Sequence, residues 1–191
     1  MNNCKRAFTE ADFAAVDFSR VAVIGCPGSG KTTLSNQLGQ ILGKTVTHLD
    51  RVLWQENWQM LPYEQREQIH SHLIATDSWL IDGMWRSHLE SRFLRATLVI
   101  FLDYKRRVSF SRAVKRFLKY RKKQRADIAD GCLEKLDGYF VKYIWKFRKI
   151  VRPEIVQLCN QHPEIEVITL TSPKHTKQFV QELQNYIKNA E

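Results

Sequence analysis

The chain has 191 residues, of which 43 % are hydrophobic and 26 % charged, with a formal net charge of +10. That is enough chain for one domain with a sizeable core, and no apolar run approaches the ~20 residues of a membrane-spanning helix. Met1 to Arg20 carries Glu10, Asp12 and Asp17 and has no apolar centre, so it does not read as a secretory signal.

Residues 1–19 read as an N-terminal extension and residues 20–191 as one domain. The domain opens on an apolar run, Arg20–Gly25 (RVAVIG), which reads as a buried strand. It leads into Gly25-Cys26-Pro27-Gly28-Ser29-Gly30-Lys31-Thr32, which satisfies G-x-x-x-x-G-K-[ST]. Glycines let the backbone turn so that successive N–H groups face one phosphate chain. The helix that starts near Gly30 adds the positive end of its dipole. Lys31 sets an ammonium on the β- and γ-phosphates, and the Thr32 hydroxyl can ligate Mg²⁺. Gly25, Pro27, Gly28, Ser29, Gly30, Lys31, Thr32 and Thr33 are therefore the expected contacts for ATP with Mg²⁺. Cys26, inside the loop, reads as a small filler. With Cys4, Cys132 and Cys159 it makes four scattered cysteines without CxxC or zinc spacing, the pattern of a reduced cytoplasmic protein.

A helix over Lys31–Leu42 stops at Gly43. A second strand reads as Thr45–Asp50, and Pro62 is placed to open a helix to about Ala75. Ser78–Asp82 is a third strand. Ser87 and Glu90 have capping-box spacing for a short helix to about Arg95. Thr97–Asp103 is a fourth strand. The helix from Tyr104 to about Tyr120 has an apolar face at Phe110, Val114, Phe117 and Leu118. Arg121 to Gln161 reads as a helical insertion, basic and aromatic. Ile165–Leu170 is the fifth strand, and Ser172-Pro173 opens a final amphipathic helix with Phe179, Val180, Leu183, Tyr186 and Ile187. Strand and helix alternate, so the expected fold is α/β with a largely parallel sheet covered on both faces.

Three strands end in aspartate: Asp50, Asp82 and Asp103. Ligands bind beyond the carboxyl ends of strands in such sheets, so these acids are expected near the phosphate loop. Asp82 and Asp103 are candidates to hold Mg²⁺ with Thr32. Asp50 is the candidate to orient or deprotonate an acceptor hydroxyl. Arg86, three residues beyond Gly83, is a candidate for substrate phosphate. Charge is concentrated between Lys105 and Arg152, with 17 lysines and arginines against four acids. Such a segment suits a polyanion, whether nucleotide phosphate or nucleic acid.

These residues resemble a known family. Asp82–Arg86 (DGMWR) is similar to the DGxxR motif of nucleoside-monophosphate kinases such as adenylate kinase. Arg112 and Arg116 resemble the arginines that open the lid there. Gly25–Leu34, His48–Trp54, Trp79–Trp85, Val99–Asp103, Ser111–Arg116, Gly131–Asp137 and Leu170–Lys174 together resemble the adenylate-kinase-like group labelled DNA topology modulation proteins. The resemblance implies a P-loop fold with a five-stranded parallel sheet flanked by helices, ATP with Mg²⁺, and a closing lid at about 121–161. It also implies that Ser172 and Pro173 lie beside the adenine. The reading that follows is a phosphotransferase using Lys31, Asp50, Arg86, Arg112 and Arg116 on a small-molecule or nucleotide acceptor. The alternative is a nucleotide-dependent nucleic-acid-binding regulator. In that case Lys105–Arg107 and Lys119–Arg125 would track a backbone, while Tyr120, Tyr139 and Trp145 stack on bases.

Overall fold

The computed structural model describes residues 8–190; Cys4 lies outside them. Five strands form one sheet: β1 (Arg20–Gly25), β2 (Val46–His48), β5 (Trp79–Asp82), β6 (Leu98–Leu102) and β7 (Glu166–Leu170). The order is β2-β5-β1-β6-β7, and all four pairings are parallel. All five expected strands are present, in the parallel sheet that was expected. No helix among the described residues is long and apolar enough to cross a membrane.

Strand alternation explains the two layers. Ala22, Ile24, Ile81, Val99 and Phe101 face one core, with Phe93 of α5 (Leu89–Arg95) and Ile144, Phe147, Val151 and Ile155 of α7 (Gly138–Gln161). Val21, Val23, Leu80, Leu98, Ile100 and Leu102 face the other. There they meet Leu34 and Leu38 of α2 (Lys31–Leu42) and Phe179, Val180 and Leu183 of α8 (Pro173–Ala190). Both faces are thus sealed by helices, as parallel sheets require. The N-terminal extension joins this second core: Phe13 of α1 (Glu10–Ala14) packs against Phe179 and Tyr186.

Three local expectations are corrected. The second strand ends at His48, and Asp50 sits in a short helix, α3 (Leu49–Val52). Leu49 packs tightly on Gly83 at this turn: a Cβ on Gly83, whose φ is +137°, would lie 2.7 Å from the Leu49 Cβ. Ser87 caps no helix; its hydroxyl meets His88 Nδ1, and a 3-10 turn over Arg86–His88 precedes α5. The insertion is helical only from Gly138, where the Asp137 carboxylate accepts the Phe140 amide at 2.8 Å and caps α7. Residues 121–137 are an irregular strap, with Asp127, Gly131 and Glu134 anchoring its backbone and side chains elsewhere. A small hairpin, β3 (Trp54–Gln55) and β4 (Gln59–Met60), stands opposite the strap and precedes α4 (Tyr63–Ala75).

Beneath α4 lies a buried basic cluster. The fully buried Arg92 guanidinium donates to Gly83 O at 3.1 Å and to His70 Nε2 at 3.4 Å. Burial, with Arg92 and His88 adding to it, pushes the His70 imidazole down to about 3. The folded protein thus resists a proton that the unfolded chain accepts near 6.5. The stability concerned is present above pH 6.5 and is lost as pH falls from there towards 3. Between pH 6.5 and 5, wild type should lose about 2 kcal/mol more stability than His70→Asn, read by urea unfolding at each pH. Equal losses would refute the assignment.

Candidate active site

The phosphate loop joins β1 to α2 at the carboxyl edge of the sheet. Ser29 N donates to Cys26 O at 3.0 Å, closing the turn. Lys31 folds back over the loop, and its Nζ donates to Gly25 O at 3.1 Å and Cys26 O at 3.3 Å. Burial lowers the Lys31 ammonium from its ordinary value, although Asp50 and Asp82 oppose this. No acid occupies the first turn of α2, so its amides are open to an anion. The Cys26 thiol is buried and pushed up to about 11, as befits an inert filler.

Gly28 fixes what lies on top of the loop. Its φ is +80°, and a Cβ there would come within 2.2 Å of Ser109 O, so only glycine lets α6 (Arg106–Tyr120) approach this closely. The buried stripe of α6 is accordingly Ser109 and Ala113, and the expected apolar face is corrected: Leu118 is 61 % exposed. This rotation lays Arg112 over the loop, its Nη1 donating to Ser29 O at 3.4 Å. Arg116, one turn further, acts electrostatically on both Lys31 and Asp50.

Of the three acids, two converge here. Asp82 is buried; its Oδ1 meets His48 Nδ1 at 2.8 Å, and its Oδ2 has no hydrogen-bond partner in the protein. Asp50, at the start of α3, is exposed to solvent; the packing around its carboxyl and the Asp82 charge still raise it above the ordinary value, against the pull of Lys31. Burial pulls the His48 imidazole down, but Asp82, Asp127 and Asp50 more than offset it and hold it above its usual range. Asp103 is placed otherwise: Arg152 Nε donates to its Oδ2 at 2.8 Å and Arg148 Nη1 lies 3.4 Å from Oδ1. Its carboxylate ties β6 to α7. Arg86 is likewise drawn to α7, where Glu154 accepts from its Nε at 3.0 Å. It borders a small groove of about 160 Å³ with Tyr139, Lys142, Tyr143 and Lys146. Ser172 Oγ accepts the His175 amide at 3.1 Å and opens α8 with Pro173, beyond the carboxyl end of β7. Among the described residues no group of three or more His, Cys, Asp or Glu forms a metal cluster.

The sequence reading missed the strap's inward face. Thr32 Oγ1 donates to Asp127 Oδ2 at 2.9 Å. Arg125 pairs with Asp127 and with Glu134, and Glu134 in turn accepts from Arg116 Nε at 2.7 Å. Arg125, grouped in sequence with the outer basic run, therefore belongs to the crevice. A signal was available: Asp127 and Glu134 are two of only four acids in a strongly basic stretch. The strap is also fastened to the hairpin. Trp58 Nε1 donates to Leu133 O at 2.7 Å, Cys132 Sγ to Gln55 O at 3.0 Å, and Asn57 N to Gly131 O at 3.3 Å. Asn57 and Trp58 have φ of 60° and 61°, which costs of order 1–2 kcal/mol each, and these bonds offset that strain. A cavity of about 690 Å³ lined by Arg51, Glu56, Gln59 and Asp130 lies at this junction, without any phosphate-loop residue.

Lys105, Arg106, Arg107, Lys119, Arg121, Lys122 and Lys123 are exposed. Two aromatics expected to stack on bases already meet cations: Arg106 lies 4.5 Å over Trp145, and Lys119 5.0 Å over Tyr120.

No protein-family model matches the chain, and no curated protein matches it in sequence. Solved structures do match its fold. A shikimate kinase from Acinetobacter baumannii, in complex with shikimate, aligns with a TM-score of 0.59 at 12 % identity, over 95 % of this chain and 98 % of that one. A gluconokinase from Sinorhizobium meliloti 1021 aligns with a TM-score of 0.51 at 13 % identity, over 92 % and 94 %.

Proposed function

We propose that this protein is an ATP-dependent phosphotransferase that moves the γ-phosphoryl group of Mg-ATP to a small-molecule acceptor. The observation that carries the reading is one crevice holding a complete phosphate loop, the guanidiniums of Arg112, Arg116 and Arg125, and the Asp50 carboxyl. The match to two small-molecule kinases over nearly the whole chain supports the same class.

The loop amides and the start of α2 would bind the triphosphate. Lys31 would exchange the carbonyls of Gly25 and Cys26 for phosphate oxygens. Thr32 and Asp82 fit the magnesium ion that accompanies the nucleotide: the hydroxyl, donating its hydrogen to Asp127, keeps its lone pairs for a cation, and Asp82 Oδ2 is a buried acceptor without a partner. When bound there, the ion would supply positive charge to the phosphates. Ser172 and Pro173, on the same edge of the sheet, would flank the adenine.

At an acceptor hydroxyl, the oxygen forms its bond to the γ-phosphorus as the bond to the bridging oxygen breaks. The hydroxyl proton passes to Asp50, the carboxylate that shares the crevice with Lys31 and Asp82. Arg112, Arg116 and Arg125 take up charge on the transferred group. With both substrates bound, the strap and hairpin would cover the crevice and limit hydrolysis.

The test is a panel of sugars, hydroxy acids, nucleosides and nucleotides with Mg-ATP, following ADP release and melting temperature. Mg-ATP should raise the melting temperature, and one acceptor should speed ADP release at least ~10-fold over hydrolysis. Asp50→Asn should lower transfer by about 10²–10⁴-fold, the usual contribution of a general base, and spare slow hydrolysis. Absence of any stabilisation by Mg-ATP would refute the reading.

A further inference from the structure

Glu134 is the most deeply placed acid of the strap, its side chain 3 % exposed. One carboxylate there serves two guanidiniums from different elements: Oε1 takes Nε and Nη2 of Arg116 from α6, at 2.7 and 2.6 Å, and Oε2 takes Arg125 of the strap. Two like charges would otherwise repel at this distance. Arg125 is held further by Asp127 through Nε and Nη2, and Asp127 accepts from Thr32. The network thus runs from the phosphate loop through the strap to α6. Both arginines act on the Asp50 carboxyl, so the pair overlooks the place where an acceptor hydroxyl would stand. Arg116 engages Glu134 along one edge only, which leaves its Nη1 edge for a further acceptor.

We propose that Glu134 is a positioning residue that gathers Arg116 and Arg125 into one rigid clamp for the transferred phosphoryl group. The proposal rests on the kinase reading above. Glu134 touches no reacting atom; it fixes the orientation of two groups that do. Because those donors are set before substrate arrives, their contribution falls on the transferred group in the transition state rather than on ground-state binding. Loss of Glu134 should therefore appear in kcat, with little change in nucleotide affinity.

The experiment compares wild type, Glu134→Gln, Glu134→Asp, Arg116→Ala and the double variant Glu134→Gln/Arg116→Ala. It measures kcat at saturating Mg-ATP and acceptor, the Kd of Mg-ATP, and trypsin cleavage within the strap, whose Arg121, Lys122 and Lys123 are exposed. Glu134→Gln should lose about 10²-fold or more in kcat, with the Kd of Mg-ATP within about threefold and cleavage of the strap unchanged. Glu134→Asp, which keeps the charge with a shorter reach, should fold and lose about tenfold. Adding Glu134→Gln to Arg116→Ala should cost less than about threefold more, because both act through one unit. A Glu134→Gln enzyme with kcat within threefold of wild type overturns the proposal, as do fully multiplicative losses. So does a loss matched by rapid strap cleavage, which marks a merely structural role. If Glu134→Gln does not fold, a fully active Glu134→Asp overturns it equally. A wild type that neither binds nor turns over Mg-ATP sinks the kinase reading, and this proposal with it. An active wild type beside an unimpaired variant sinks this proposal alone.

Discussion

Lys31→Ala is expected to lower turnover by about 10²–10³-fold, the scale for removing one preorganised donor to developing charge, and to weaken Mg-ATP binding while the fold persists. Among the described residues Lys31 makes no salt bridge, and its ammonium donates to Gly25 O and Cys26 O, the carbonyls of its own loop. Those oxygens sit beside an open crevice, where water can replace the lost donor. Alanine is also the best helix former at the first position of α2. Circular dichroism and thermal melting should therefore match wild type. The loss should show in kcat and in the Kd for Mg-ATP. Unchanged nucleotide affinity in a folded Lys31→Ala protein would contradict the phosphate-loop assignment itself.

The larger effect is expected from Arg112→Ala/Arg116→Ala. Charge that builds on a phosphoryl group in flight is met by guanidiniums, and arginines of this kind contribute about 10³–10⁵ in kcat. Arg112 is already laid on Ser29 O, and Arg116 is held by Glu134, so both act without further ordering. The double variant should lose on the order of 10³-fold or more in turnover. The control is Lys122→Ala/Lys123→Ala, in the same basic segment but exposed, which should stay within about twofold. If that outer pair proved essential and the inner pair dispensable, the phosphotransferase reading would fall. Affinity for DNA against salt concentration, measured on both sets, would then decide whether the segment serves nucleic acid.

The sheet was legible because its information is local and redundant. A buried parallel strand is a continuous apolar run between turn signals, and RVAVIG and TLVIFLD announce themselves. The phosphate loop was legible for a related reason: backbone amides do the binding, so the residue types that permit the turn are the signal. Ionic partnerships were not. Asp82 and Asp103 look alike in sequence, each closing an apolar run. Arg148 and Arg152, some fifty residues beyond β6, claim Asp103 for α7 and leave Asp82 for the crevice. Arg125 was misplaced for the same reason. Whether a cation in a basic run turns inward depends on a buried acid, and that acid, Glu134, lies nine residues further along the chain. The face of α6 was misread because a helix can bury a serine and an alanine when it presses on a glycine backbone, and periodicity in large apolar residues does not register such close contact.

The fastening between hairpin and strap also bears on how often the proposed reaction could turn over. The hairpin belongs to the β2–β5 connection and the strap to the β6–β7 connection, so the two come from opposite sides of the central strand. Trp58, Cys132 and Gln55 join them above the crevice. On the kinase reading, a spent nucleotide would leave past two connections held to each other by the Trp58 indole and the Cys132 thiol, rather than past one flap. Motions of this kind run on microsecond-to-millisecond timescales and set the pace of many enzymes. On that reading, the clock of each cycle would lie in the clasp, away from the phosphates.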